Sequence, residues 1–283
     1  MNTEITLETV KNIDISTTCI VWLAVAGVML LALVLALVIG WRKYTGKEAS
    51  FVYLAVGATG FFICVRVLEL MVHMVCIVSN NPISRFITGH TVCYVIYGIV
   101  MAGVFEEVGR FVIFKYILKR GHTKANAVMY GIGHGCCEVI MLTLIQLESL
   151  LAVAIVLKYM PFETACNILS INDQSIAMAY PQIQSIAMFG ATDALMCLWE
   201  RIAAVMMHIA MSVFVAYGVV NKKNYWTAIA VGTHMLFDTA PALTQRGEVS
   251  TIACELIITL LVIPAVVVAC KLNFKKDTLA IEQ

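Results

Sequence analysis

Charge is scarce in this chain of 283 residues: 13% of it is Asp, Glu, Lys or Arg, while 61% is hydrophobic. Soluble domains carry about 25% charged residues, so the shortage excludes an ordinary soluble fold. There is no excess of one sign either. The formal net charge is +1, which excludes the basic surface expected of a nucleic-acid partner. Ten cysteines include no Cys-x-x-Cys pair, and nine of the ten lie in apolar segments, with Cys166 in a polar loop. That pattern argues against a disulfide framework or a thiolate metal site. The sequence also lacks a detectable internal repeat, a linker long enough for a second domain, a P-loop lysine and a His-Glu-x-x-His helix.

What is present is a series of long apolar runs with a mean hydropathy of +0.89, the composition of an all-α, polytopic integral membrane protein with the lipid bilayer as its partner. Seven spans are predicted, forming a single integral membrane domain over residues 1–283 with a charged core at about 100–238. They run at about Thr18–Trp41, Phe51–Val78, His90–Phe114, Ala125–Leu157, Ile186–Val220, Tyr225–Ala242 and Ser250–Cys270. The first lacks a positive flank before it and reads as a retained helix. Asn80-Asn81-Pro82 closes the second span as a turn, and Pro161–Ser185 reads as a polar loop. The fifth span is either one tilted helix or a helix broken near Gly190. Basic residues set the orientation: twelve, including Arg42, Lys115, Lys124, Lys222, Lys271, Lys275 and Lys276, fall on one side, against four on the other. That side is expected to be cytoplasmic, with the N-terminus outside and the C-terminus inside.

Against this background the ionisable residues stand out, since a charge in hydrocarbon costs at least ~2.5 kcal/mol. Glu106, Glu107 and Arg110 interrupt a run that is otherwise apolar from Thr91 to Phe114. Arg110 is within helical reach of both acids and can neutralise one, leaving the other over. His134 lies among Gly131, Gly133 and Gly135 with Glu138 four residues on, and His234 has Asp238 four residues on. Each histidine thus has an acid one turn away that can fix its tautomer. The bare glycine face permits close approach by another helix or by a substrate backbone. Glu200-Arg201 reads as a structural pair, seven residues before His208. Arg66, Glu69 and His73 in the second span read as a local group, with Arg66–Glu69 as its ion pair.

Depth ties these residues together. Glu106 is nine residues from Lys115, His134 ten from Lys124 and His234 eleven from Lys223. At the helical rise these are ~13 to ~17 Å inside the basic edge, with His208 at ~21 Å before tilt. A carboxylate and three histidines on four helices therefore share one broad layer of the inner half of the bilayer. His134, His208 and His234 are candidate metal ligands, and such a set with carboxylates suits zinc.

Glu-Glu-x-x-Arg, an isolated His on the next helix and then His-x-x-x-Asp resembles the CAAX prenyl protease and bacteriocin-processing superfamily of intramembrane proteases. The nearer likeness is to its YhfC-type branch, through Gly-x-Gly-His-Gly-x-x-Glu at Gly131–Glu138 and Glu-Arg…His at Glu200–His208. The resemblance covers about Val100–Asp238. It implies peptide-bond hydrolysis in a membrane-embedded or lipidated substrate. Glu106 would be the general base, with Glu107 assisting or held by Arg110. His134 would hold the water or a metal, and His234 with Asp238 would stabilise the oxyanion or complete the site; His208 would be a further ligand. The broader superfamily usually has three residues between its glutamate pair and arginine. Here there are two, Val108 and Gly109, which leaves the partner of Arg110 open. The resemblance also admits a metal-free glutamate protease. Two competing readings are a proton-coupled small-molecule transporter, which would use the same buried groups, and a regulatory scaffold with a vestigial site.

Overall fold

The computed structural model describes residues 6–274. Lys275 and Lys276, counted above for orientation, lie outside the described residues. Every regular element among them is helical: α1 (Leu7–Lys11), α2 (Thr17–Tyr44), α3 (Phe51–Val78), α4 (Pro82–Gly89), α5 (Thr91–Ile117), α6 (Lys124–Tyr159), α7 (Phe162–Leu169), α8 (Ile176–Met188), α9 (Ala191–Val220), α10 (Tyr225–Gln245) and α11 (Thr251–Lys271). Six of them, α2, α3, α5, α6, α9 and α11, are long and apolar enough to cross a membrane. The protein is an integral, multi-pass membrane protein.

The seventh expected span, α10, is a helix of 21 residues that is not among those six. Thr227, Thr233, His234, Asp238 and Thr239 lower its apolar content. His234 and Ala240 are buried, while Leu236 is 61% exposed. Its polarity therefore includes inward-facing groups.

One segment departs from the sequence reading, and of the two alternatives left for the fifth span the break near Gly190 is the one found. Pro161–Ser185 is not a loop but holds α7 and most of α8. Ala165 and Cys166 bury one face of α7, and Ile176, Ile183 and Ile186 bury one of α8. Ser170, at φ +54°, turns the chain out of α7. The expected fifth span is broken at Phe189-Gly190, and the Gly190 N–H donates to Asp193 Oδ2 at 2.9 Å to start α9. Asn81 also does more than close a turn. Its side chain accepts from the Ile83 and Ser84 N–H groups at 2.8 and 2.9 Å, and Pro82 at the first helical position begins α4.

The packing falls into two compact units. One holds the described residues up to Leu33 together with Ile140–Trp199. There Lys158 Nζ donates to the Ile15 carbonyl at 2.6 Å, and Glu148 packs over Gly27. The other holds Val34–Val139 and the described residues from Glu200 on, and contains every candidate site residue.

Glycines bring the helices of this second unit into backbone contact. A Cβ on Gly133 would collide with the Leu54 carbonyl of α3, and one on Gly131 would sit 2.5 Å from the Ile209 Cα of α9. A Cβ on Gly135 would meet Val205 at 3.1 Å. The bare face around His134 is thus filled by α3 and α9, which settles the choice between helix and substrate in favour of helices. Likewise Gly103 of α5 lies where a side chain would strike Met235 of α10 at 2.7 Å. The winding of α3, α5 and α6 widens to π-type over Phe62–Glu69, Ile113–Ile117 and Val139–Leu144. The last begins right after Glu138, a position where such wide turns recur near functional groups.

Candidate active site

Four helices, α5, α6, α9 and α10, deliver the predicted residues to one buried centre. Glu106, Glu107, Arg110, His134, His208 and His234 are each no more than 6% exposed. Glu106 is at the middle. Its Oε2 stands 2.7 Å from His134 Nε2 and 3.7 Å from His208 Nδ1, and its Oε1 is 4.0 Å from His234 Nε2. The rings of His134 and His208 are 4.7 Å apart between centroids, and those of His208 and His234 5.5 Å. Residues matched in depth along the sequence are thus brought together in space.

The pairings resolve what spacing left open. Arg110 Nη1 donates to Glu107, not to Glu106, so the three-residue spacing wins over the four. Its other amino group, Nη2, donates to His208 Nδ1 at 3.3 Å. Because a guanidinium only donates, that ring nitrogen is the acceptor. The remaining His208 N–H, on Nε2, then points to Glu138, which accepts it. Glu138 was expected to serve His134 on its own helix; it serves His208 across the helix interface instead. Helix geometry explains the exchange, since His134 Nε2 is turned to Glu106. Arg201 Nη1 closes the chain by donating to Glu138 Oε1 at 2.8 Å and Nη2 to Glu200 Oε1 at 2.5 Å. The Glu200–Arg201 pair is thus part of the support for His208.

His234 does keep its own-helix acid, Asp238, with Nε2 to Oδ2 at 3.3 Å. Its Nδ1 faces Glu107 Oε1 at 2.8 Å. Both ring nitrogens therefore face carboxylates, which requires one proton more than a neutral imidazole carries, on the ring or on an acid. In the second span, Glu69 pairs with His73 at 3.2 Å rather than with Arg66. His73 Nδ1 is 2.7 Å from the Tyr97 hydroxyl, a partner the sequence did not signal because a lone tyrosine in an apolar helix reads as packing.

With this geometry in view, the family profile described as YhfC intramembrane metalloprotease is found to match residues 28–263, which spans the whole centre. This chain belongs to the YhfC family. It is 30% identical over 248 residues to the "Uncharacterized membrane protein YhfC" of Bacillus subtilis (strain 168), covering 87% of this chain and 93% of that protein. No solved structure matches.

The family's description names a metal, and the residues of this YhfC chain fit one. Glu106, His134 and His208 each offer a ligand atom, all within 4.8 Å of one another and all buried. Tetrahedral ligands at zinc–nitrogen and zinc–oxygen bond lengths stand about 3.3 Å apart. The 2.7 and 3.7 Å separations here lie on either side of that spacing. Glu138 holds His208 in the tautomer that turns the Nδ1 lone pair inward, the supporting contact metal-ligating histidines need; that lone pair here accepts from Arg110 Nη2, which an ion would displace. Charge points the same way. With the histidines neutral, Glu106, Glu107, Glu138, Glu200 and Asp238 face Arg110 and Arg201, a formal excess of three negative charges. An excess of that kind in a low-dielectric interior calls for a divalent cation or for protons. His234, among the metal candidates by sequence, stands outside the three-ligand group, and Glu106 takes that place.

Proposed function

We propose that the centre hydrolyses a peptide bond within the membrane, in a membrane-embedded or lipidated substrate. The observation that carries this reading is the buried Glu106–His134–His208 group, three potential ligand atoms within 4.8 Å and drawn from three helices. In this reading Glu106 has two functions on two oxygens. Its Oε2 belongs to the ligand group, and its Oε1, on the side of His234, takes the proton from the attacking water. A divalent ion held by Glu106, His134 and His208 would, when bound, supply Lewis acidity and make water a nucleophile at neutral pH. Zinc is the candidate by ligand type.

The other residues orient and neutralise. Glu107 is clamped by Arg110 and His234, so of the two adjacent glutamates it is Glu106 that has no guanidinium partner. His234 is held with its Nδ1 to Glu107 and its Nε2 to Asp238, and in this reading its Nε2–H turns from Asp238 toward the centre to stabilise the oxyanion of the tetrahedral intermediate. Glu138 and Arg201 fix His208. The test is cleavage of co-expressed membrane-tethered and lipidated peptides by the wild type and by Glu106→Gln, with protein amounts in the membrane measured beside it. Glutamine keeps the size of glutamate and cannot take the proton, so cleavage is expected to fall ~10²- to 10⁴-fold while the protein remains folded. Equal cleavage by both forms would remove Glu106 from the chemistry.

A further inference from the structure

A cavity of about 440 Å³ lies between α3, α5 and α10, and Asp238 is one of its walls. The cavity is bounded at one end by Val78, Tyr94 and Gln245, all near helix ends. From Gln245 back to Asp238 is seven residues of α10, about 10 Å at the helical rise. Asp238 is 27% exposed in its side chain, while His234 beside it is 2% exposed. On α5, Tyr94 and Gly98 line the cavity near the start of the helix, while Glu106, eight residues beyond Gly98, is turned about 80° from it around the helix. On α10, Gln245, Pro241, Asp238 and His234 recur at steps of four, three and four, so one face leads from this end of the helix inward to the centre. One stripe of α10 thus runs from the rim of the cavity to the buried group.

The walls mix apolar side chains such as Leu70, Ile77 and Ile99 with polar ones. On the cavity side, His73 joins Glu69 and the Tyr97 hydroxyl, and Tyr94 donates to Gln245 Oε1 at 2.9 Å. Glu69, the partner of His73, is buried and does not itself line the cavity; its Oε2 has no protein partner. A second cavity, of about 610 Å³, lies between α3 and α5 and is lined almost wholly by apolar side chains such as Ile63, Leu68, Val104 and Val108. Polar cavities of this size hold water, whereas apolar ones stay dry or take hydrocarbon. Gly98 adds the last observation: a Cβ there meets nothing within 4 Å, although the residue lines the polar cavity.

We propose that this polar cavity is the passage by which water, the co-substrate of hydrolysis, reaches the buried centre, entering from the helix ends opposite the basic edge and arriving at Asp238. Water at Asp238 meets the His234–Asp238 pair first and then the free oxygen of Glu106. The passage deepens the hydrolytic reading and rests on it for its purpose.

The passage is testable without any cleavage assay. Gly98→Cys places a thiol in the cavity without a clash, Ala242→Cys does so from the facing helix, and Val104→Cys places one in the apolar cavity as a control. Intact cells and inside-out vesicles are treated with a charged, membrane-impermeant thiosulfonate, and modified residues are located by peptide mass spectrometry against the wild type. A thiol reacts as thiolate and so needs water. The thiols introduced by Gly98→Cys and Ala242→Cys are expected to react at least about tenfold faster than that of Val104→Cys, from the outside face. Reaction of neither, or reaction from the cytoplasmic face alone, would overturn the passage. Gly98→Trp, which fills the cavity, should block labelling at Ala242→Cys and lower peptide cleavage. Labelling as expected with no cleavage by the wild type would leave the passage standing and remove the hydrolytic reading; cleavage with unlabelled thiols would do the reverse.

Discussion

At the residue scale, most charged groups of the centre are paired, while Glu107 Oε2, Arg110 Nε and His134 Nδ1 are buried without a hydrogen-bond partner. Arg110 is fully buried and holds Glu107 on one side and His208 on the other. Arg110→Ala should strand the Glu107 carboxylate and cost ~3–5 kcal/mol, seen as a lower level of folded protein in detergent as well as lost activity. A silent Arg110→Ala would mean the pair is not sustaining the fold. Glu138→Gln acts at a distance from the ligand atoms. It removes the negative charge and leaves one amide oxygen where two carboxylate oxygens serve Arg201 and His208, so metal content after dialysis at limiting zinc should correspond to a ~10- to 100-fold weaker affinity. Unchanged metal content would exclude His208 as a supported ligand. Glu106, His134, His208 and His234 were legible in the sequence because each is a polar group in an apolar run at a matching helical depth. Their partners were less so. Spacing assigns Glu138 to His134 on the same helix, and the structure gives it to His208, since partner choice across an interface depends on how two helices are rotated, which one-helix spacing does not encode.

At the element scale, the glycines of α6 decide how closely α3 and α9 approach and hence where His134 sits. Gly133→Ala puts a methyl into the Leu54 carbonyl of a neighbouring helix. It should cost ~1–3 kcal/mol through overpacking, read as a lower thermal midpoint in detergent. Gly98→Ala on α5, where a Cβ meets open space, is the matched control and should leave the midpoint unchanged. A tolerated Gly133→Ala would mean that the two helices can part without loss. Span positions in α2, α3, α5, α6 and α11 were readable to within a few residues, because twenty or more apolar residues have few other fates in a membrane protein. The helices α4, α7 and α8 were not. They are short, carry polar residues and a proline, and are held by caps at Asn81 and by small buried faces such as Ala165 and Cys166, features that sequence alone reads as turn or loop. The π-type turns were equally hidden, since nothing in composition marks where a helix admits an extra residue.

At the scale of the whole molecule, a membrane protein of the YhfC family places a Glu/His group where four helices meet, away from both helix ends. Burial explains why most of the site's acids and bases come in pairs. The orientation proposed from the basic residues puts the end of α5 that carries Lys115 in the cytoplasm. With α10 crossing as the seventh span, a reporter fused after Gln283 should be active on the cytoplasmic side, and activity confined to the outside would reverse the assignment or remove α10 from the spans. The measurement that bears most directly on the hydrolytic centre is peptide cleavage by purified, membrane-reconstituted protein, wild type against Glu106→Gln, with zinc content determined on the same samples. Cleavage by the wild type is expected, together with a loss of ~10²-fold or more in Glu106→Gln and a folded variant of unchanged thermal midpoint. Full cleavage by Glu106→Gln at equal protein would contradict it.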